Sequence, residues 1–250
     1  MRYQIGTITN LGKKRSTNQD NFLVRTDRYG GMPCALLLVA DGMGGLTNGD
    51  MASGLVVEEM QKWWDARQQA HTAPEEISRS LDEVIYKIHR EIYAYEQQMD
   101  TRTGTTLSLV FLQGSRYLVK HVGDSRIYRC TTRQTTQLTQ DQNWYNREVE
   151  AGRLENARLA DRRTARALVN ALGPSQELEI RTQQGSIKRG EALLLCTDGF
   201  YGSLEESMTA RRWPWHYDPQ RQLEAMLREI LTGPAGDNIT AVLCRLPYWG

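Results

Sequence analysis

The sequence lacks long apolar runs, a basic excess and closely spaced cysteines, and each absence excludes a class of protein. No stretch approaches the roughly 20 apolar residues of a membrane-spanning helix, and residues 1–10 lack the basic-then-apolar layout of a signal peptide. Lys and Arg number 31 against 30 for Asp and Glu, which gives a net charge of +1. Nucleic-acid-binding proteins usually carry a basic excess, so we expect no nucleic-acid partner. Because the sequence shows neither a membrane-spanning run nor a signal-peptide layout, we expect no membrane partner and a cytoplasmic location.

The cysteines and histidines are few, and their spacing argues against a zinc site. The four cysteines, which include no Cys-x-x-Cys pair, are Cys34, Cys130, Cys196 and Cys244. We predict that they are buried, reduced thiols rather than metal ligands or a disulfide framework. The four histidines, predicted to be non-catalytic, are His71, His89, His121 and His216. We expect His89 on or beside the polar face of a helix.

Hydrophobic periodicity predicts strands and helices that are grouped along the chain. The strand-like runs are 3–9, 21–26, 35–40, 105–112, 116–122, 125–130, 192–197 and 239–246, and apolar residues recur at helical spacing over 50–69, 74–99 and 220–231. Residues 113–115 and 123–124 are typical of hairpin connections. The grouping favours an α+β fold with antiparallel sheets over a doubly wound one. With no linker evident, residues 1–250 are expected to form one domain.

Two apolar strands each end in an aspartate followed by glycine. Leu36–Ala40 runs into Asp41 and Gly42, and Leu193–Thr197 runs into Asp198 and Gly199. Such runs predict strands buried on both faces, which would hold the carboxylate in a fixed position. A glycine allows a sharp turn that can leave its carbonyl open to a ligand, an arrangement that suits a hard cation. An ordinary turn after a strand is the alternative interpretation of each Asp-Gly pair.

Two further aspartates favour the cation interpretation. Asp20 comes just before one predicted strand, and Asp237 comes just before another. Four aspartates at strand ends could converge at one edge of a β-structure, where their mutual repulsion would require cations to offset it.

Eight short segments, taken together, resemble a known family. They are Gly12–Phe22, Val39–Gly45, Gly104–Thr106, Val122–Arg126, Leu138–Asp141, Ala171–Gly173, Thr197–Gly199 and Asp237–Thr240. In this order they resemble the metal-dependent protein phosphatases of the 2C type, in their compact bacterial form. The resemblance extends from Gly6 to about Arg245. It implies two antiparallel β-sheets packed as a sandwich flanked by helices, an α-β-β-α arrangement with the metal site at one edge.

The resemblance also implies roles for individual residues. Asp41 would bridge two cations and Gly42 would offer its carbonyl, while Asp198 and Asp237 would complete the ligands of one cation. Asp20 would act near the same cluster through metal-bound water. The position of Asp124 matches a third, weaker metal site, although a turn residue is an equal alternative. Arg15 matches the arginine that holds the substrate phosphate, since a guanidinium can engage two phosphate oxygens at once.

The activity implied by the resemblance is hydrolysis of phosphoserine and phosphothreonine in proteins. Two Mn²⁺ or Mg²⁺ ions roughly 3.5–4 Å apart would acidify a bridging water, and the resulting hydroxide would attack phosphorus. Room for a third ion is implied. Expected partners are phosphorylated protein substrates, a cognate bacterial Ser/Thr kinase and a forkhead-associated-domain protein, and the chain is expected to be a monomer.

Some positions depart from the family pattern. Met43 and Leu46 stand where relatives carry histidines, which leaves the general acid unassigned and metal-bound water as the default. Gln19 stands where some relatives carry glutamate. Trp63 and Trp64 are predicted to be core or helix-packing residues. Trp213 and Trp215 are predicted to pack a late loop, and an exposed docking patch is the weaker alternative for this pair.

Residues 141–172 fall where the family carries a variable flap. Its arginines would border the substrate entrance and favour acidic phosphopeptides: Arg153, Arg158, Arg162, Arg163 and Arg166. A solvated helix face is the competing interpretation. The sequence disfavours two rival functions. A two-metal phosphodiesterase or nuclease is disfavoured by the balanced charge, and a catalytically weak phosphoprotein-binding regulator on the same fold is disfavoured because all four aspartates are present.

Overall fold

The described part of the chain forms eleven strands and seven helices. The computed structural model describes residues 2–29, 31–44, 48–66, 73–204, 208, 213 and 217–247. The strands are β1 (Gln4–Asn10), β2 (Asp20–Tyr29), β3 (Met32–Gly44), β4 (Thr103–Thr105), β5 (Leu107–Gln113), β6 (Arg116–Val122), β7 (Arg126–Cys130), β8 (Thr135–Gln137), β9 (Arg181–Ser186), β10 (Ala192–Cys196) and β11 (Ile239–Arg245). The helices are α1 (Asn48–Ala66), α2 (Pro74–Met99), α3 (Trp144–Glu150), α4 (Leu154–Leu159), α5 (Arg162–Arg166), α6 (Asp198–Tyr201) and α7 (Pro219–Thr232).

These strands form two antiparallel sheets. One sheet has the order β1-β11-β10-β7-β8, and the other has the order β2-β3-β5-β6-β9, with β4 pairing to β3. Both termini of the described chain therefore meet in one sheet, where Gln4 pairs with Arg245. The prediction of an α+β fold with two antiparallel sheets is confirmed.

The side chains of β3 alternate between two apolar layers. Leu36 and Leu38 face the helices α1 and α2, whereas Leu37 and Val39 face the other sheet, and all four are fully buried. The predicted burial of this strand on both faces is confirmed. On the far side of the molecule, α7 packs its apolar face against the first sheet. The layers are thus helix, sheet, sheet, helix, with an apolar core between each pair of layers.

The expected hairpin at residues 123–124 is wrong. Strand β6 belongs to one sheet and β7 to the other, so residues 123–125 cross from sheet to sheet instead of reversing within one. The connection at 113–115 is confirmed as a hairpin, since Gln113 pairs with Arg116 and Gly114 has a φ of 62°. The predicted run 105–112 is divided between β4 and β5.

Several predictions about single side chains are tested by burial. All four cysteines are free and buried, and Trp64 and Trp213 are buried in the core, as predicted. His89 differs from the expectation, because it is only 4% exposed and its Nδ1 accepts a hydrogen bond of 3.1 Å from the Gly173 N–H. Trp215, His71 and His216 lie outside the described residues. None of the helices within the described ranges is both long and apolar enough to span a bilayer.

Candidate metal centre

Strand pairing brings Asp20 and Asp41 together. They are direct partners in the antiparallel pair of β2 and β3. Because side chains alternate along a strand, Asp41 continues the face of Leu37 and Val39 and lies on the side of the other sheet. Its backbone is held on both sides by Thr106, whose Oγ1 accepts from the Asp41 N–H at 3.0 Å and whose N–H donates to the Asp41 carbonyl at 2.9 Å. The carboxylate of Asp41 is therefore presented at the seam between the sheets.

The second sheet brings Asp198 and Asp237 to the same seam. Strands β10 and β11 are antiparallel neighbours, with Cys196 opposite Ala241. Asp198 follows the end of β10 as the first residue of α6, and Asp237 stands just before β11. The end of one strand and the start of its neighbour lie side by side, which explains how residues 39 positions apart in the chain become adjacent.

Threonine hydroxyls of the second sheet reach the carboxylate of Asp20. Thr197 Oγ1 donates to Asp20 Oδ2 at 2.9 Å, and Thr240 also hydrogen-bonds this carboxylate. Thr197 Oγ1 accepts in turn from the Thr240 N–H at 3.1 Å. Asp20 is only 6% exposed. The sequence analysis places Thr197 in the segment Thr197–Gly199 but gives it no role of its own.

Burial and crowding raise the pKa values of these carboxyl groups. Burial raises the pKa of Asp20 to about 7, against the opposing hydrogen bonds from Thr240 and Thr197. Burial also raises the pKa of Asp41 well above its usual value, and the charges of Asp20 and Asp198 raise it further. The pKa of Asp198 is raised by burial and by Asp237, and the carboxyl groups of Asp198 and Asp41 are close enough to share a hydrogen bond. Such a cluster favours either bound protons or bound cations.

Arg15 contacts Asp237 in this arrangement. Its Nε donates to Asp237 Oδ1 at 2.8 Å and its Nη2 donates to Oδ2 at 2.7 Å, which is a two-point fork. The pair is well exposed, with 54% of the Arg15 side chain and 38% of the Asp237 side chain accessible. The fork occupies both oxygens of the Asp237 carboxylate, so a cation at Asp237 would compete with Arg15.

Asn238 anchors the segment that carries Arg15. Its side-chain oxygen accepts from the Gln19 N–H at 2.9 Å. Its side-chain nitrogen donates to the Leu11 carbonyl at 3.0 Å and to the Thr17 carbonyl at 3.1 Å. Asn238 therefore fixes both ends of the segment around Arg15. Sequence reasoning recorded Asn238 as part of a motif but gave it no role.

The two Asp-Gly pairs require glycine because backbone atoms of neighbouring segments lie very close to the glycine Cα. A Cβ at Gly42 would lie 2.0 Å from the Gly49 carbonyl oxygen, and a Cβ at Gly199 would lie 2.0 Å from the Asn238 carbonyl oxygen. Neither contact can be relieved by a side-chain rotation, since each partner atom belongs to the backbone. The glycines thus let the Asp41 and Asp198 turns pack against their neighbours.

Asp124 lies in the crossing between the sheets, close to the same cluster. Burial raises its pKa to about 7, and the charges of Asp198 and Asp141 add to the effect. Asp124 in turn raises the pKa of Asp41. Met43 pairs with Gly104 beyond Asp41 and brings no titratable group, while Leu46 lies outside the described residues.

The donor set suits hard divalent cations, although it is not pre-shaped to chelate one. Across the described ranges, no three His, Cys, Asp or Glu side chains stand in an arrangement that would hold an ion as it is. The fork with Arg15 turns Asp237 away from such a role. The chemistry of the donors nevertheless fits Mn²⁺ or Mg²⁺, since Asp20, Asp41 and Asp198 supply carboxylate oxygens and burial raises their pKa values. Rotation of the partly exposed Asp237 carboxylate is a small change that would free its oxygens for a cation.

The segment 141–172 folds as α3, α4 and α5. Arg153, one of its predicted substrate-facing arginines, is paired within the segment, with Nη2 2.6 Å from Oε1 of the buried Glu148. Arg158, Arg163 and Arg166 are exposed, and the side chain of Arg162 is outside the described part of the structure. Only part of the predicted positive surface is therefore available to a ligand.

Comparisons with known proteins agree on one family. A profile described as protein phosphatase 2C matches residues 12–232. A Listeria monocytogenes (serotype 4b) protein named serine/threonine phosphatase stp is 31% identical over 237 residues, which cover 94% of this chain and 92% of that protein. The solved serine/threonine phosphatase of S. agalactiae superposes with a TM-score of 0.84 at 25% identity, covering 98% of this chain and 99% of that one. The solved catalytic domain of serine threonine protein phosphatase PstP, in complex with two manganese ions, superposes with a TM-score of 0.74 at 25% identity over 98% of both chains.

Proposed function

This chain belongs to the protein phosphatase 2C family, and from that membership we propose that its carboxylate cluster hydrolyses phosphoserine and phosphothreonine monoesters of proteins. The observation that carries the proposal is the convergence of Asp20, Asp41, Asp198 and Asp237 from two sheets onto one seam. The raised pKa values of Asp20, Asp41 and Asp198 are those of a site that needs cations at neutral pH. We further propose that residues 1–250 act as one catalytic domain, with 141–172 as its flap.

The family resemblance and the places of the aspartates at the strand ends support a set of residues that would hold the cations. Asp41 and Asp198, whose carboxyl groups interact, would share one ion, with the Gly42 carbonyl, Asp237 and a water held by Asp20 as further ligands. Two divalent cations, when bound, supply an acidified water as nucleophile and offset the charge of the phosphoryl oxygens. The two manganese ions of the PstP structure support Mn²⁺, and Mg²⁺ suits the same oxygen donors. Asp124 is proposed to contribute to a third ion.

Arg15 is proposed to exchange Asp237 for the phosphate of the substrate. The fork that it makes with a carboxylate has the same two-point geometry that it would make with two phosphate oxygens. Asn238 keeps this arginine at the seam during the exchange, because it holds the flanking segment by three hydrogen bonds. Arg15→Lys should keep the charge and lose the fork, so KM for a phosphopeptide should rise by about 10-fold.

The leaving oxygen needs a proton that Met43 cannot supply, since a thioether carries no acidic hydrogen. We propose that this proton comes from water. Phosphorylated proteins are the proposed substrates, a bacterial Ser/Thr kinase and a forkhead-associated-domain protein are the proposed partners, and the cytoplasm is the proposed location. A catalytically weak phosphoprotein-binding role is not favoured, because the relatives that match are named as phosphatases.

Manganese-dependent hydrolysis of a phosphothreonine peptide tests the proposed function. Asp41→Asn and Asp198→Asn should each lower kcat/KM by at least about 100-fold, whereas Asp50→Asn, at an exposed aspartate of α1, should leave it unchanged. Full activity in the presence of a chelator would contradict the proposal. Faster hydrolysis of a phosphodiester than of the phosphopeptide would point to the rival nuclease class.

A further inference from the structure

Tyr201 connects two of the carboxylate-bearing elements. It is the last residue of α6, the short helix that begins at Asp198. Its hydroxyl donates a hydrogen bond of 3.1 Å to the backbone carbonyl of Asp124, in the crossing between the sheets. Tyr201 is 5% exposed, so the packing around its side chain restricts movement of the two groups that this hydrogen bond joins. One hydroxyl thus ties the turn of Asp124 to the helix of Asp198.

Arg126 holds the ring of Tyr201 in place. Its guanidinium carbon lies 3.7 Å from the centre of the Tyr201 ring, which is cation–π distance. The same guanidinium forks the carboxylate of Asp141, with Nε to Oδ1 at 2.9 Å and Nη2 to Oδ2 at 2.7 Å. Its Nη1 donates to the Tyr128 hydroxyl at 3.1 Å. Arg126 is therefore fixed from three sides, and it fixes Tyr201 in turn.

A cavity opens where these groups meet. Its volume is about 360 Å³, and its lining includes Asp124, Asp198, Tyr201, Arg126, Tyr145 and Arg166. The two carboxylates face it from the seam, and the last two residues face it from the 141–172 segment. Asp124 and Asp198 both line this cavity, so a change in their spacing would change its acidic side.

We propose that Tyr201 is a positioning residue that sets the distance between Asp124 and Asp198 through its hydrogen bond to the Asp124 carbonyl. The inference deepens the proposed function, on which it rests, by assigning a residue to the placement of its metal-binding carboxylates. Arg126 serves the same end by clamping the ring. Tyr201 itself touches no reacting atom.

A matched pair of tyrosine variants tests this inference. Tyr201→Phe removes only the hydroxyl and keeps the ring beneath Arg126. Tyr128→Phe removes a hydroxyl that contacts the same guanidinium, whereas within the described part of the chain the hydrogen bond to the Asp124 carbonyl comes from Tyr201. Mn²⁺ alone is titrated into each full-length variant by calorimetry. We expect Tyr201→Phe to weaken the Asp124-dependent binding step by about 3- to 10-fold, the range for one ordinary hydrogen bond, and Tyr128→Phe to change it by less than about 2-fold.

Asp124→Ala identifies the binding step and completes a double-mutant cycle. In the Asp124→Ala background, Tyr201→Phe should have no further effect on Mn²⁺ affinity. Urea unfolding in chelator should give similar midpoints for Tyr201→Phe and Tyr128→Phe, which separates positioning from general stability. Equal Mn²⁺ affinities of the two tyrosine variants, an unchanged effect in the Asp124→Ala background, or an Asp124→Ala variant that binds Mn²⁺ like wild type would each overturn the inference. Failure of the proposed function would instead appear as a wild-type chain that binds Mn²⁺ and leaves the phosphothreonine peptide intact.

Discussion

In the presence of a chelator, Asp20→Asn should stabilise the protein at alkaline pH. Burial raises the pKa of Asp20 to about 7, whereas an aspartate in an unfolded chain titrates near 3.9. The folded state therefore binds this proton more tightly than the unfolded state does. By linkage, the free energy of unfolding falls as the pH rises from about 4 to about 7, and it stays lowered above pH 7. An asparagine carries no charge at any of these pH values.

The size of the effect follows from the shift. Each pKa unit corresponds to about 1.4 kcal/mol, so a rise of about 3 units in Asp20 alone would correspond to roughly 4 kcal/mol at pH 8. Asp41 and Asp198 share the repulsion, and a proton on any one of the three relieves the others. We therefore expect Asp20→Asn to raise the free energy of unfolding by about 1–3 kcal/mol at pH 8, and by about a third of that amount at pH 5.

Urea unfolding in EDTA at pH 5 and pH 8 measures this difference. Asp50→Asn, at an exposed position of α1, is the matched control for replacing an aspartate by asparagine. Saturating Mn²⁺ should reverse the order at pH 8, because wild type gains binding free energy that the variant has partly lost. An Asp20→Asn variant no more stable than wild type in EDTA at pH 8, or a gain that is equal at both pH values, would refute the electrostatic reasoning.

Three further predictions concern the close approach at Gly42, the buried ion pair of Lys120 and the segment that carries Arg15. Gly42→Ala should lower the free energy of unfolding by more than about 3 kcal/mol because its Cβ would meet backbone atoms, whereas Gly54→Ala, which meets nothing within 4 Å in α1, should raise it by about 0.5–1 kcal/mol in the same urea assay. Asp82→Ala should cost about 3 kcal/mol because it leaves the 1% exposed Lys120 without its carboxylate at 2.6 Å, and adding Lys120→Met should recover most of that loss. Asn238→Ala should raise KM for a phosphothreonine peptide with little effect on kcat, since it releases the segment that carries the phosphate-binding arginine.

The elements that the sequence predicted well are those with a strong apolar pattern. The helix over 74–99 and the strand over 116–122 match in both bounds, because each presents a continuous stripe or run of apolar residues. The strand β9 (Arg181–Ser186) was missed because its side chains are polar and mostly exposed, so it lacks the alternation that reveals a strand. Its place at the edge of a sheet is decided by pairing with β6, which sequence periodicity does not report.

The sequence predicted the carboxylates of the candidate site better than the residues whose hydrogen bonds hold those carboxylates in place. An aspartate at the end of a buried strand is visible in the sequence, as Asp41 and Asp198 show. Thr197, Asn238 and Tyr201 act through hydrogen bonds to partners that are distant in the chain. Thr197 and Asn238 lie in segments that the sequence singles out, but the sequence does not show which partners they bond. The 123–125 crossing was mistaken for a hairpin because a short glycine-aspartate connection has the same composition in both cases.

The acidic seam is assembled from both layers of the sandwich. Asp20 and Asp41 belong to one sheet, while Asp198 and Asp237 flank strands of the other. An ion bound by aspartates of both pairs would link the two sheets. A shift of one sheet relative to the other would therefore weaken the coordination of that ion. Small truncations in the apolar layer between the sheets, such as Val110→Ala, should therefore lower the affinity for Mn²⁺ before they cause the protein to unfold.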